Sequence, residues 1–117
     1  MIDWDRVVEL RSEIGEDGFG EVVDLFLDEV EGVVMRLGTA PNPEKFEDDL
    51  HFLKGSAWNL GFAAFGALCQ DGERKAAAGR GAEIDIAAIL ACYGASRQEF
   101  MARLGEFCST EGRSAAA

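Results

Sequence analysis

The chain has 117 residues, of which 48% are apolar and 28% are charged, and its formal net charge is −11. This length suits one domain with a single hydrophobic core, and the composition is that of a globular protein rather than a disordered or fibrous one. So acidic a chain is repelled by phosphate backbones and anionic lipid surfaces, which argues against binding to nucleic acid or to membranes.

The cysteines and the chain ends indicate the compartment and the domain limits. The three cysteines (Cys69, Cys92 and Cys108) are widely spaced and odd in number, which fits a reducing cytoplasm better than a disulfide scaffold. The N-terminus is charged and amphipathic, unlike a signal peptide, and no apolar run approaches the roughly 20 residues that cross a bilayer. Residues 110–117 lack an apolar face, so we predict a disordered tail after a folded domain at 1–109.

Helical periodicity, interrupted by glycine and proline, predicts five helices. The first covers about residues 3–14 and ends at the glycine-rich segment 15–20 (GEDGFG). The second covers about residues 19–37 and is expected to bury one stripe at helical spacing, formed by Phe19, Val22, Val23, Phe26, Val30, Val33, Val34 and Leu37.

The third helix has clear signals at both ends. Asn42 can cap it, Pro43 suits its first position, and Gly61 can supply the turn that follows residue 60. Its apolar residues are spaced 4, 3, 4 and 3 apart, so they form one seam toward the core: Phe46, Leu50, Leu53, Ala57 and Leu60.

The fourth helix is predicted over residues 62–78 and closes at the segment 79–81 (GRG). The fifth opens near Asp85 as a cap, with Ile84 and Ile89 at the spacing of a hydrophobic staple. Long amphipathic helices with short connections predict an all-α fold, an antiparallel up-down four-helix bundle with a short additional N-terminal helix.

The exposed face of the third helix carries the chain's only histidine. His51 lies opposite the seam with Glu47, Lys54, Gly55 and Trp58, at intervals of three and four residues. Neutral imidazole is nucleophilic, and its unperturbed pKa of about 6.5 makes that form abundant near neutral pH. Gly55 leaves a gap beside the ring for a bulky partner, and Lys54 places a cation near an arriving phosphoryl group, whose transfer depends on positioning and charge stabilisation.

Each of these residues also has an ordinary interpretation. A surface histidine or lysine is commonly just solvated, and a glycine within a helix often marks close helix packing. The three together, at i, i+3 and i+4 opposite the apolar seam, favour a functional interpretation.

The segment at residues 51–61, HFLKGSAWNLG, resembles the signature HxLKGSSxxLG of histidine phosphotransfer (HPt) domains. It is similar, more weakly, to the phosphotransfer domain of chemotaxis kinases, which shares the core His-x-x-Lys-Gly. Further along, a stretch resembles the family's CxxLE-like pattern through Leu68, Cys69 and Glu73.

The resemblance implies a role for each matching residue. His51 is expected to be phosphorylated, Lys54 to steady the phosphoryl group, Gly55 to keep the approach open, and Ser56 to support the site by bonding to the backbone of its own helix. The implied partners are response-regulator receiver domains, which bring the aspartate and Mg²⁺, and a hybrid histidine kinase. The chain itself then needs no metal or nucleotide, and the family's simple bundles imply a monomer.

Four positions depart from the family pattern. Ala57 stands where a second serine is common, and Phe62 where a small residue is usual. Trp58 has two open interpretations, as part of a partner-docking patch or as filler of a groove against a neighbouring helix. Gly72 replaces the apolar residue expected before Glu73, and is expected to loosen the fourth helix.

A partner that covers His51 needs contact residues around it. Phe52 lies about 100° around the helix from His51, so it is either a core residue or a docking residue. Leu25 and Leu27, off the main stripe of the second helix, are further docking candidates. The acidic residues before the histidine either form a solvated face or discriminate among receivers by charge: Glu44, Glu47, Asp48 and Asp49.

These observations favour a phosphocarrier that accepts a phosphoryl group on His51 from receiver aspartates and donates it to them. The alternative is a non-transferring helical interaction module that binds receiver domains. A metal or haem bundle is disfavoured because it needs several inward ligands, and a self-sufficient enzyme because no second catalytic group accompanies the histidine.

Overall fold

The structure, a computed structural model, describes residues 1–108, with side chains through residue 104. The predicted disordered tail lies outside the described residues. The all-α prediction is confirmed: within residues 1–108 the backbone forms helices and one isolated bridge, between Ile2 and Phe62. The helices are α1 (Trp4–Ile14), α2 (Glu16–Thr39), α3 (Phe46–Leu60), α4 (Ala63–Ala77) and α5 (Ile86–Cys108), with short 3₁₀ turns at Pro43–Lys45 and Gly81–Glu83.

Four of the helices pack around one apolar core. The helix α3 contacts α2 and α4, α5 contacts the same two helices, and α1 rests on α2 and α3. The side chains of Phe62 and Phe100 meet edge to face, with ring centroids 5.2 Å apart. The largest fully buried side chains are Phe19, Phe62, Phe65, Phe100, Leu37, Leu50, Leu53 and Leu60. None of the helices in the described part of the chain is long and apolar enough to span a membrane.

The start of α2 differs from the prediction. Only Gly15, at φ 98°, separates α1 from α2, which begins at Glu16 rather than near Phe19. Glu16 and Asp17 lie in its first turn, where the helix dipole favours negative charge. The two glycines that follow were read as breakers, but a helix can contain them at a cost of about 1 kcal/mol each.

Leu27 was predicted to be an exposed docking residue, and this was wrong. It is 4% exposed and belongs to the core, because it lies one turn from both Val23 and Val30 on the buried stripe. Leu25, in contrast, is 60% exposed, as predicted.

The predicted caps hold the ends of the later helices. The Asn42 side chain accepts a hydrogen bond from the Glu44 amide at 3.1 Å, and the Asp85 carboxylate accepts one from the Ala88 amide at 3.0 Å. Gly61 ends α3 in the left-handed conformation, at φ 81°. The predicted caps are therefore confirmed at Gly61 and Asp85, whereas Asn42 caps the 3₁₀ turn that leads into α3, which itself begins only at Phe46.

The N-terminal residues close the turn between α3 and α4. The Asp3 amide donates to the Gly61 carbonyl at 2.6 Å, and the Ala64 amide donates to the Met1 carbonyl at 3.3 Å. A Cβ added to Gly61 would lie 2.6 Å from the Asp3 carbonyl oxygen, so this approach needs a residue without a side chain.

Gly72 was expected to loosen α4, but the structure shows close helix packing there. Gly72 is buried, and an added Cβ would lie 2.9 Å from Leu50 Cδ1 and 3.6 Å from Ile89 Cδ1. The missing side chain therefore lets α4 approach α3 closely, which brings the polar side of α4 next to the exposed face of α3.

Candidate functional site

His51 lies in the middle of α3 with its side chain 69% exposed. Two nearby residues on the apolar seam of α3 anchor the helix in the core: Leu50, directly before His51, and Leu53, two positions after it, are fully buried. A solvent-exposed ring on a backbone held by core packing is accessible and fixed in position.

Glu73 of α4 binds the inner nitrogen of this ring. Its Oε2 lies 2.8 Å from His51 Nδ1. An ionised carboxylate can only accept a hydrogen bond, so Nδ1 carries the proton and donates it to Glu73. In the neutral ring the lone pair is then on Nε2, which is the nitrogen farther from α4.

The other oxygen of Glu73 pairs with Lys54. Lys54 Nζ lies 2.7 Å from Glu73 Oε1, and the Glu73 side chain is 19% exposed. The Lys54 ammonium, and to a smaller extent the His51 ring, hold the pKa of Glu73 below its ordinary value against the opposing effect of burial. Glu73 is therefore ionised at neutral pH, and its carboxylate joins the side chains of His51 and Lys54.

Gly55 faces open space. A Cβ added to it would meet no atom within 4 Å, unlike Gly66 and Gly72, whose added Cβ atoms would meet α3 side chains at 3.0 and 2.9 Å. Helix packing therefore does not explain Gly55. The gap lies one turn beyond His51 on the exposed face of α3.

Ser56 is buried, at 7% exposure, and so lies away from the exposed face that carries His51. Within residues 1–108 the structure gives its hydroxyl no hydrogen bond, to its own helix or to the histidine. Its supporting role remains a prediction.

The two aromatic residues of α3 that were considered for docking are both partly exposed. Trp58 is 42% exposed, and its indole lies against α4 so closely that a Cβ at Gly66 would meet three ring carbons at 3.0–3.1 Å. It therefore fills a groove between α3 and α4 and still presents apolar surface. Phe52 is 37% exposed and is not a core residue.

The acidic residues before the histidine differ in environment. Asp49 forms an ion pair with Arg36 of α2 and is 13% exposed, so it helps to hold α2 against α3. Glu44, Glu47 and Asp48 are exposed. These three leave a negative rim on the N-terminal side of His51.

Glu73 is the residue of the site that sequence reasoning did not select. It was noted only as the last position of a family-like stretch, because helical periodicity groups residues of one helix and cannot pair α3 with α4. Its one sequence signal was a carboxylate one turn after Cys69, a fully buried residue. In residues 1–108 no group of three or more histidine, cysteine, aspartate or glutamate side chains is placed to hold a metal ion.

Comparison with known proteins addresses the family directly. No curated protein and no solved structure matches the chain. The family model of the Hpt domain matches residues 21–99, a range that runs from α2 into α5 and contains His51, Lys54, Gly55 and Glu73. With most of its length matched and a helical fold of the expected kind, the chain belongs to the Hpt domain family.

Proposed function

We propose that this protein is a phosphocarrier that accepts a phosphoryl group on Nε2 of His51 from a receiver-domain aspartate and donates it to another. The observation that carries this proposal is the 2.8 Å contact between Nδ1 and Glu73. A proton fixed on Nδ1 leaves a nucleophilic lone pair on the exposed Nε2, which is the arrangement that attack on phosphorus requires.

The loading step needs little from this chain beyond that lone pair. Nε2 forms a bond to phosphorus while the bond from phosphorus to the aspartyl oxygen breaks, and the receiver carboxylate leaves with the electron pair. The receiver is expected to supply Mg²⁺ together with the aspartate. Lys54, held one turn from His51 by Glu73, adds a cation beside the arriving phosphoryl oxygens.

The surface around His51 suits a protein partner. Gly55 gives room beside the ring, and Phe52 and Trp58 offer apolar area that is exposed in the free protein. The rim of Glu44, Glu47 and Asp48 favours partners with basic residues around their active site. We propose receiver domains of response regulators or of a hybrid histidine kinase as these partners, with this protein acting as a monomer.

The test is transfer of radiolabelled phosphate from a panel of phosphorylated receiver domains to the purified protein. We expect label that is stable in base and lost in acid, as for a phosphorus–nitrogen bond to imidazole. Receiver binding without any such label would replace the proposal by the non-transferring interaction module.

Enlarging Gly55 should slow transfer without weakening the fold. In Gly55→Gln the new Cβ meets no atom within 4 Å, and the longer side chain occupies the gap beside the ring, so we expect transfer to slow at least about tenfold by steric exclusion. The helix should gain about 0.5–1 kcal/mol, because glycine is a poor helix former. Single-turnover transfer and urea unfolding measure the two effects.

Gly94→Gln is the matched control, since Gly94 also lies within a helix and an added Cβ there meets nothing within 4 Å. It should gain similar stability and keep its transfer rate. Unchanged transfer in Gly55→Gln would contradict the access role.

A further inference from the structure

We propose that Glu73 keeps the proton on Nδ1 after phosphorylation as well, so that His51 departs as neutral imidazole when its phosphoryl group moves on. This inference rests on the proposed function and extends it to the return step. It assigns to Glu73 a positioning role in which the carboxylate sets the protonation state of the leaving group and touches neither phosphorus nor the receiver.

The return step shows why that proton matters. In phosphorylated His51 with Nδ1 protonated, the receiver carboxylate forms an oxygen–phosphorus bond, the Nε2–phosphorus bond breaks, and its electron pair returns to Nε2. The product is the neutral ring with its proton still on Nδ1, and no proton moves. Without that proton the leaving group would be an imidazolate anion, a far poorer one, and a proton would have to arrive in the same step.

The position of Glu73 is suited to holding that proton. Its carboxylate is restrained at both oxygens, by His51 Nδ1 at 2.8 Å and by Lys54 Nζ at 2.7 Å. The close packing of the neighbouring Gly72 on Leu50 fixes the distance between the two helices. The carboxylate therefore cannot move away from the ring without breaking an ion pair and a packing contact.

Charge then decides which form of the phosphorylated ring is present. A deprotonated Nδ1 would turn its lone pair toward the negative Oε2 at hydrogen-bonding distance, which is repulsive, whereas a protonated one donates to it. On α3 itself, the charged residues one turn from the ring are Glu47 and Asp48 before it and Lys54 after it. Of these acids only Glu73 bonds to the ring, so it is the one expected to retain the proton as the pH rises.

The experiment measures how the lability of the phosphorylated protein depends on pH. Wild type, Glu73→Gln and Glu47→Gln are loaded chemically with phosphoramidate, which requires no receiver. Hydrolysis and transfer to one receiver domain are then followed from pH 6 to pH 10. Glu47→Gln is the matched control for hydrolysis, a step without a receiver, because it removes one negative charge from the same face without touching Nδ1.

We expect the hydrolysis rates for wild type and Glu47→Gln to fall at nearly the same pH. For Glu73→Gln the fall should come about one pH unit earlier, which makes it about tenfold slower at pH values above both inflections. Coincident profiles for wild type and Glu73→Gln would overturn the inference, as would an equal displacement in Glu47→Gln.

The outcomes also separate this inference from the proposed function. Hydrolysis of chemically loaded protein reports the proton on Nδ1 whether or not any receiver takes part. A displaced hydrolysis profile without transfer to or from receivers would support the role of Glu73 and contradict the phosphocarrier. Transfer to receivers together with coincident hydrolysis profiles would support the phosphocarrier and contradict the role of Glu73.

Discussion

Replacement of His51 by glutamine is expected to reduce phosphoryl acceptance to background, at least about a hundredfold below wild type, because it removes the attacking nitrogen. Glutamine keeps a polar side chain of moderate length on an exposed helix position, so the fold should be unaffected. Transfer of radiolabel from a phosphorylated receiver, measured side by side for the two proteins, gives the result in a single gel.

Binding supplies the control for this variant. The exposed apolar surface at Phe52 and Trp58 is unchanged in His51→Gln, so receiver affinity should stay within a few-fold of wild type, measured by calorimetry. Base-stable, acid-labile label on His51→Gln would be incompatible with the assignment, because the chain has no other imidazole.

Gly61→Ala is expected to be strongly destabilising, with a loss of about 3 kcal/mol in the free energy of unfolding. Alanine would have to adopt φ 81°, which costs about 1–2 kcal/mol. Its Cβ would also lie 2.6 Å from the Asp3 carbonyl oxygen, a backbone atom that cannot rotate away. Urea unfolding followed by circular dichroism measures the loss.

Gly79 provides the comparison, because it has a similar φ of 77° but its added Cβ would meet no atom within 4 Å. Gly79→Ala should therefore lose only the conformational part, about 1 kcal/mol. Equal losses at the two positions would mean that the N-terminal segment shifts freely to accept the methyl group.

Most of the fold was predictable because each helix carries its own signals. The seam of α3 is buried at all five predicted positions, since a 3.6-residue period places them on one side whatever the partner helices are: Phe46, Leu50, Leu53, Ala57 and Leu60. The start of α2 was placed too late because Gly18 and Gly20 look like breakers in isolation, whereas packing of Phe19 holds the helix through them. Leu27 lay at the edge of the predicted stripe, and tertiary packing decided its burial.

The candidate site, like the fold, was predictable only where its residues lie on one helix. His51, Lys54 and Gly55 share one helix face, so their spacing alone groups them. The contact between His51 and Glu73 spans 22 positions and depends on how closely α4 approaches α3, which Gly72 makes possible. A rule that treats any glycine within a helix as a weak point predicts that α4 is loosened at Gly72. Such a rule considers one helix at a time and therefore takes no account of the packing of α4 against α3.

The hydrogen bonds between the first three residues and the turn that joins α3 to α4 have a consequence for hydrogen exchange. The amides of Asp3 and Ala64 and the carbonyl of Gly61 are bonded between the N-terminus and the turn that joins α3 to α4. These amides can exchange with deuterium only when the N-terminus detaches, and detachment frees the turn that joins the two helices. Protection at Asp3 and Ala64 should therefore rise and fall together, and it reports on opening of the turn between the helices that carry His51 and Glu73.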